Sequence, residues 1–400
     1  MKETKRSTTK EPKGRVRPVD PPAITGRESP RELLETFFPA YAGRGLREAH
    51  RLMRTSIEED HAVFATLSGA MTPAGMHQSC VIPMIEAGWI SCLTTTGANL
   101  YHDLHRTLGH LIQEVNPAGD DTAYRRERII RIYDLGFDEE VLLDTDRFFC
   151  ELLKTQPFQR RMTTAELHFE IGRAVAQIED ERKIARPSLL ASCYRHRVPI
   201  FVGAPQDGSI YLNVVKMERE DPENFEFRLD VARDVYSMAA LQHWARQGRR
   251  DSAARILDRR NSAAAGKSAR AAKAPASDGQ ASIWIFGGGV PKNYTLQGEP
   301  LLSQILGVDA RGFDVDVQVC VDVMDNGALS SCSAGEGHTW GKTSIECVES
   351  RSVYLRNDVT VALPILTQAL LSDPKLRRPQ RRLYDRLPQA IAALDAAWMT

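Results

Sequence analysis

Four hundred residues with 42% hydrophobic content can fill a sizeable core, which excludes a disulfide mini-protein, a collagen-like chain and wholesale disorder. Fifty-two basic side chains against fifty-two acidic ones leave a formal charge of zero, so the chain as a whole has no electrostatic reason to seek nucleic acid or a membrane surface. No run approaches eighteen uncharged apolar residues, and no apolar segment follows the charged start MKETKRSTTKEPKGR, so neither membrane spanning nor secretion is expected.

Residues 1–30, rich in Lys, Arg, Thr and Pro without periodicity, read as a flexible tail. A single domain is expected over 31–400, opening with helical spacing in RELLETFFPAYAGRGLREAHRLM that Pro39 and glycines interrupt. Helical spacing then recurs at 74–87, 103–110, 163–178, 226–244, 299–306 and 361–371. Between these lie short apolar runs that read as buried strands: Trp89–Leu93, Val198–Val202, Ile283–Phe286 and Val317–Val321. The alternation predicts an α/β fold, a Rossmann-like and mostly parallel sheet with helices on both faces. From Arg246 to Lys273 nine Lys/Arg stand against two Asp, a net charge of +7, with few large apolar side chains, so 245–280 is expected to be a disordered basic insertion. The seven cysteines are scattered without a CxxC pair and read as reduced, buried small hydrophobes of a cytoplasmic protein.

In such a fold ligands gather beyond the C-terminal ends of the strands. The four expected strands lead into Thr94-Thr-Thr-Gly-Ala-Asn99, Gly203-Ala-Pro-Gln-Asp-Gly-Ser209, Gly287-Gly-Gly-Val-Pro291 and Asp322-Val-Met-Asp-Asn-Gly327. Small residues there let backbone N–H groups approach an anionic ligand, and four such ends suggest one of dinucleotide size. No G-x-G-x-x-G, P-loop, H-E-x-x-H or G-x-S-x-G is present. Lys342 in His338-Thr-Trp-Gly-Lys342 reads either as an amine whose pKa an indole wall lowers or as a surface lysine beside a core tryptophan. Asp207 could serve a ligand or its own Asx-turn, and Asp358 could be a helix N-cap. His102, His105 and His110 share a helix, but no Cys or carboxylate set completes a metal site, and none is expected. His77 and His338 read as hydrogen-bonded structural residues.

The motifs LSGAMTPAG at 67–75, LTTTGANLYHDL at 93–104, VPIFVGAPQDGS at 198–209, FGGGVPKN at 286–293 and GHTWGKTS at 337–344 give the chain a resemblance to the deoxyhypusine synthase family, including its bacterial branch and the related homospermidine synthases. The resemblance runs from about residue 35 to about 375, outside the basic insertion. It implies an NAD-dependent aminoalkyl transferase, a homotetramer of tight dimers with active sites at subunit boundaries. NAD would take a hydride from the carbon beside the secondary amine of spermidine. The aminobutyl group would pass to an enzyme lysine as an imine and then to an acceptor amine.

By that resemblance Lys342 is the imine-forming lysine, Trp340 packs along the substrate chain and Glu336 steadies a substrate ammonium. Thr96, Gly97, Asp207, Gly287, Gly288, Gly289 and Asp358 are assigned to NAD. Asn293 stands where the enzyme that modifies a translation factor has a histidine, and Tyr101 and His102 occupy the place of paired glutamates. Leu212, five residues after Asp207, and Leu329, thirteen before Lys342, replace two expected aspartates. Asp103, Asp322 and Asp325 are the available substitutes. With two anions missing, a small amine acceptor, as in homospermidine synthesis, is favoured over a protein lysine. Another NAD-linked amine reaction and a non-catalytic NAD-binding homologue are the other readings.

Overall fold

Six strands lie side by side in one sheet: β1 (Ala62–Leu67), β2 (Ile90–Thr95), β3 (Ile200–Val202), β4 (Ala281–Phe286), β5 (Val315–Cys320) and β6 (Ser352–Arg356). All neighbours are parallel, in the order β6-β5-β4-β1-β2-β3. The chain starts in the middle, works outward to one edge, then returns to the middle and works out to the other. The direction reverses between β1 and β4, and at such a switch point the loops above two adjacent strands diverge and open a crevice. This is the doubly wound α/β architecture expected from the sequence. The computed structural model describes residues 19–247 and 279–399.

The helices packed around the sheet include α1 (Tyr41–Glu58), α2 (Gly97–Thr107), α3 (Glu139–Leu153), α4 (Thr164–Arg182), α5 (Leu189–His196), α6 (Val231–Arg246), α7 (Gly289–Leu296), α8 (Ala334–Thr339), α9 (Val359–Leu371) and α10 (Leu387–Trp398). They cover both faces, so the central strands β1 and β4 carry mainly apolar side chains on both sides. Val63, Ala65 and Leu67 of β1 join Trp284 and Phe286 of β4 in one core, closed by Leu52 and Met53 of α1 and Leu363 and Leu366 of α9. Ala62, Phe64, Ile283 and Ile285 face a second core, closed by Met238–Leu241 of α6 and Ala390 and Leu394 of α10.

Several boundaries differ from expectation for local reasons. Trp89 stays outside β2 because its indole N–H donates to the Leu376 carbonyl at 2.7 Å and its backbone N–H closes the preceding turn on Met84. The helix expected at 103–110 starts at Gly97, since the Thr96 side chain accepts from the Asn99 N–H. Both 74–87 and 299–306 contain a π-helical turn, at His77–Val81 and Leu301–Ile305. β1, α3, α10 and the helix Ser209–Glu220 have no counterpart among the expected elements. Most of the expected tail 1–30 and insertion 245–280 lies outside the described residues. The parts within them show Ser29 closing a capping box with Glu32, and α6 running on to Arg246. Among the described residues no helix is long and apolar enough to cross a membrane.

Candidate functional site

The C-terminal ends of the two strands flanking the switch point are tied together. Ser68, just past β1, accepts the Gly288 N–H at 3.1 Å and donates its hydroxyl to the Gly288 carbonyl. A Cβ on Gly288 would fall 2.2 Å from the Ser330 Cβ, so only glycine fits where the loop after β5 presses on this turn. That loop is held by Lys292, which no spacing or motif distinguishes from other lysines. Lys292, 1% exposed, donates to Gln318 Oε1 at 2.7 Å and to the Ser330 and Cys332 carbonyls at 3.2 and 2.5 Å. Burial lowers its pKa, with Asp316 opposing. Gln318 completes the clamp by donating to the Gly287 and Ser330 carbonyls at 3.0 and 2.8 Å.

The turns after β2 and β3 also meet. A Cβ on Gly97 or on Gly208 would lie 3.0 Å from the other residue's Cα, and the Thr96 hydroxyl donates to the Gly69 carbonyl at 2.6 Å. Thr96, Gly97, Asp207 and Gly287–Gly289 therefore share the C-terminal edge of adjoining strands. Asp207 is exposed, and among the described residues its carboxylate makes no hydrogen bond, so the Asx-turn reading does not hold. Asp358 does act as an N-cap: its Oδ1 accepts the Thr360 N–H at 2.7 Å and the Thr360 hydroxyl at 2.5 Å.

Lys342 sits in a doubled-back segment that fixes its backbone on both sides. Its N–H donates to the Gly337 carbonyl at 2.9 Å, and its carbonyl accepts from the Phe313 N–H at 3.0 Å. Gly341, at φ +71°, makes the reversal. His338, as expected, is structural, with Nδ1 2.6 Å from the Thr343 carbonyl. The Lys342 Nζ donates to Asn293 Oδ1 at 3.2 Å and lies 5.8 Å from the centroid of the Trp340 ring. Burial lowers the lysine's pKa, while Cys332 and Glu336 oppose the shift. More of it is neutral than in open water, which is the form that attacks an electrophilic carbon. Trp340 is half exposed, so the indole closes one side of the amine and leaves the other approachable.

Lys342, Asn293, Trp340 and Glu336 are thus brought together. Tyr101 and His102 are not: the expectation that they bind substrate is corrected by the burial of Tyr101 against α3 and by the half-buried His102 ring packing on His105 and Phe137. The Tyr101 hydroxyl donates to the Leu142 carbonyl and to Asp146 Oδ1 at 2.9 and 2.8 Å, and His102 Nδ1 is 2.8 Å from His105 Nε2. Asp103 is no substitute carboxylate either, because it accepts the Leu189 and Leu190 N–H groups at the start of α5, beneath the surface. Asp322 stands at the end of β5 and accepts from the Ser330 hydroxyl. His77 is buried with no hydrogen bond to its ring among the described residues, contrary to expectation, 3.5 Å from Asp103.

The family model described as deoxyhypusine synthase matches residues 32–249 and 267–370. The chain is 37% identical over 382 residues to a deoxyhypusine synthase-like protein of a Cyanothece species, covering 95% of this chain and 88% of the relative. A deoxyhypusine synthase-like protein of a Nostoc species is 38% identical over 356 residues, covering 89% and 84%. The crystal structure of a deoxyhypusine synthase candidate from Entamoeba histolytica superposes with a TM-score of 0.51 at 11% identity, covering 90% of this chain and 99% of that one. At that identity the likeness speaks for the fold alone.

Proposed function

Since the chain belongs to the deoxyhypusine synthase family, we propose that it is an NAD-dependent aminoalkyl transferase in which Lys342 holds the transferred group of a polyamine donor as an imine, with a small amine as acceptor. The observation that carries this reading is the hydrogen bond from Lys342 to Asn293. Asn293 lies on α7, the helix that springs from the triglycine turn, four residues past Gly289. At 1.5 Å per residue that is about 6 Å along the helix, so a ligand over the turn and the lysine amine are within one substrate's reach.

The edge also fits a dinucleotide. α2 and α7 begin at glycines whose lack of a side chain lets phosphate oxygens meet helix-terminal N–H groups. Thr96, Gly97, Asp207 and Gly287–Gly289 would hold NAD, which when bound accepts a hydride from the carbon beside the donor's amine. Lys342, on giving up a proton, then forms a carbon–nitrogen bond to that oxidised carbon, and the donor nitrogen already bound there leaves with the rest of the donor as a free amine. The acceptor amine displaces Lys342 in the same way, and the hydride returns to the acceptor's imine. Trp340 shields the alkyl chain and the cation beside it, Glu336 balances an ammonium, and Asn293 aims the lysine by accepting its N–H. Asn293 cannot serve as a general base near neutral pH, so the substrate amine itself or solvent takes that proton. Val321, Met324 and Leu329, exposed on the segment leading to the lysine, support a second copy covering this edge, in a homotetramer of tight dimers.

The test is a mass-spectrometric screen of amine donors and acceptors with NAD, read together with reduced-nicotinamide absorbance and a borohydride-trapped adduct. Lys342→Ala should abolish the adduct. Absence of both signals with every donor, in protein shown to hold NAD, would overturn the reading.

A further inference from the structure

At the outer edge of the sheet Asp316 pairs with Ser352 and Gln318 with Tyr354 in parallel register, so the period of two puts these four side chains on one face. The opposite face of the same strands supplies Val315, Val317, Val319 and Leu355 to the hydrophobic core. The four polar residues, with Val353 and the Ser333–Gly335 start of α8, wall a cavity of about 110 Å³. Such a space admits several water-sized groups, since one needs only about 10–15 Å³. It is too small for a nucleotide.

Most polar groups on this wall are already used. Gln318 is bonded to Lys292, Gly287 and Ser330, and the Tyr354 hydroxyl donates to the Asp322 carbonyl at 3.1 Å. Asp316 is the exception. It is 5% exposed, and among the described residues its carboxylate has neither a hydrogen bond nor an ion pair. Lys292 acts on it only through the field, because the lysine's N–H groups go to Gln318, Ser330 and Cys332. Burial pushes the Asp316 carboxyl up to about 6 against the opposing field of Lys292, and above that pH the anion faces the cavity with no hydrogen-bond donor on it among the described residues. A buried carboxylate is sustained when a cation with hydrogen-bond donors meets it.

We propose that this cavity binds a primary ammonium group, the ammonium ion or the end of an alkylamine, with Asp316 as its counter-charge and the Ser352 hydroxyl as a second acceptor. A hard metal ion fits less well, since Mg²⁺ and Ca²⁺ seek six or more oxygen ligands and Asp316 is the single carboxylate in this wall. Ala334 and Gly335 at the start of α8 offer the apolar surface along which the methylenes of an alkyl stem would lie. The alkylamine case rests on the reading of Lys342, for it would supply part of the negative charge that Leu212 and Leu329 do not. The free-ion case does not.

The test is thermal melting of the full-length protein near neutral pH in ammonium chloride, sodium chloride, tetramethylammonium chloride and 1,4-diaminobutane at matched ionic strength. A saturable rise with ammonium or the diamine, absent with sodium and tetramethylammonium, is expected, with at least tenfold weaker apparent affinity in Asp316→Asn. Saturation by the diamine at lower concentration, with competition against ammonium, identifies an alkylamine end; a response to ammonium alone identifies the free ion. Melting that follows ionic strength only, meaning a site for water, overturns the proposal. If Asp316→Asn does not fold, Ser352→Lys brings a tethered ammonium and should raise the melting temperature while removing the response to added ammonium; no change in either overturns it. The same titration in Lys342→Ala protein keeps the two proposals apart. There the cavity response survives without any imine chemistry, and an intact Lys342 adduct with no cavity response sinks this inference alone.

Discussion

Glu299 and Arg246 lie beneath the lysine's support, and breaking their pair should be felt at Lys342. Glu299 is 0% exposed and accepts from the Arg246 guanidinium, which also sits 5.4 Å from the Phe313 ring centroid. Glu299 Oε2 accepts the Gly312 N–H at 3.2 Å, and the next residue, Phe313, donates its N–H to the Lys342 carbonyl. Glu299→Ala leaves a guanidinium whose side chain is 10% exposed without its anion, which costs about 3–5 kcal/mol. The double change Arg246→Met/Glu299→Leu removes both charges and leaves mainly the Gly312 N–H unmatched, about 1–2 kcal/mol. The double variant should therefore be more stable than Glu299→Ala, and with the singles Glu299→Leu and Arg246→Met it closes a strongly non-additive cycle. Urea unfolding followed by tryptophan fluorescence measures each corner, and the borohydride-trapped adduct should fall in the single variant and partly return in the double. Costs below about 1 kcal/mol for Glu299→Ala, or a double variant as unstable as the two singles combined, would refute the reasoning.

Gly288→Ala forces a Cβ to within 2.2 Å of the Ser330 Cβ and 2.7 Å of its Cα, so calorimetry should show at least about tenfold weaker NAD binding and a stability loss of about 1–3 kcal/mol. Unchanged NAD affinity would remove this turn from the cofactor site. Asn293→Ala and Asn293→Asp should move the pH profile of adduct formation in opposite directions. The first withdraws the oxygen that favours the charged lysine and shifts the profile to lower pH, while the second adds an anion and shifts it higher. Equal shifts in one direction would exclude Asn293 as the group that sets the amine. Glu336 holds the Lys342 pKa up against burial, so Glu336→Gln should lower it further and carry adduct formation to lower pH; a profile that stays put places Glu336 outside the lysine's field.

Much of this architecture was legible because backbone physics is local. Strands covered by helices on both faces carry short apolar runs such as Ile283–Phe286, and glycines after strands mark where chain and ligand approach closely. β1 is not legible in the sequence because Ala62–Leu67 follows α1 after a short turn, and its five apolar residues and Thr66 have no period that separates strand from helix. The lysine motif was legible as well: GHTWGKTS carries the amine, its indole and the glycine of the reversal within eight residues.

The residues in order are enough for a mostly parallel α/β sheet with helices on both faces, a lysine beside a tryptophan and glycine-rich strand ends. Strand order, and which side chains meet, follow from packing between elements distant in the chain. Tyr101 is close in sequence to Thr96, but packing between α2 and α3 seats its ring on Phe149. Lys292 and Lys342 look alike as residues, yet one has its donors taken by the loop after β5 and the other reaches Asn293. Asp316 stands just before the expected strand Val317–Val321, and only β6 and α8 enclose it. Burial and hydrogen-bond supply are properties of the assembled neighbourhood, and they determine which of several identical groups is a strut and which can be a reagent.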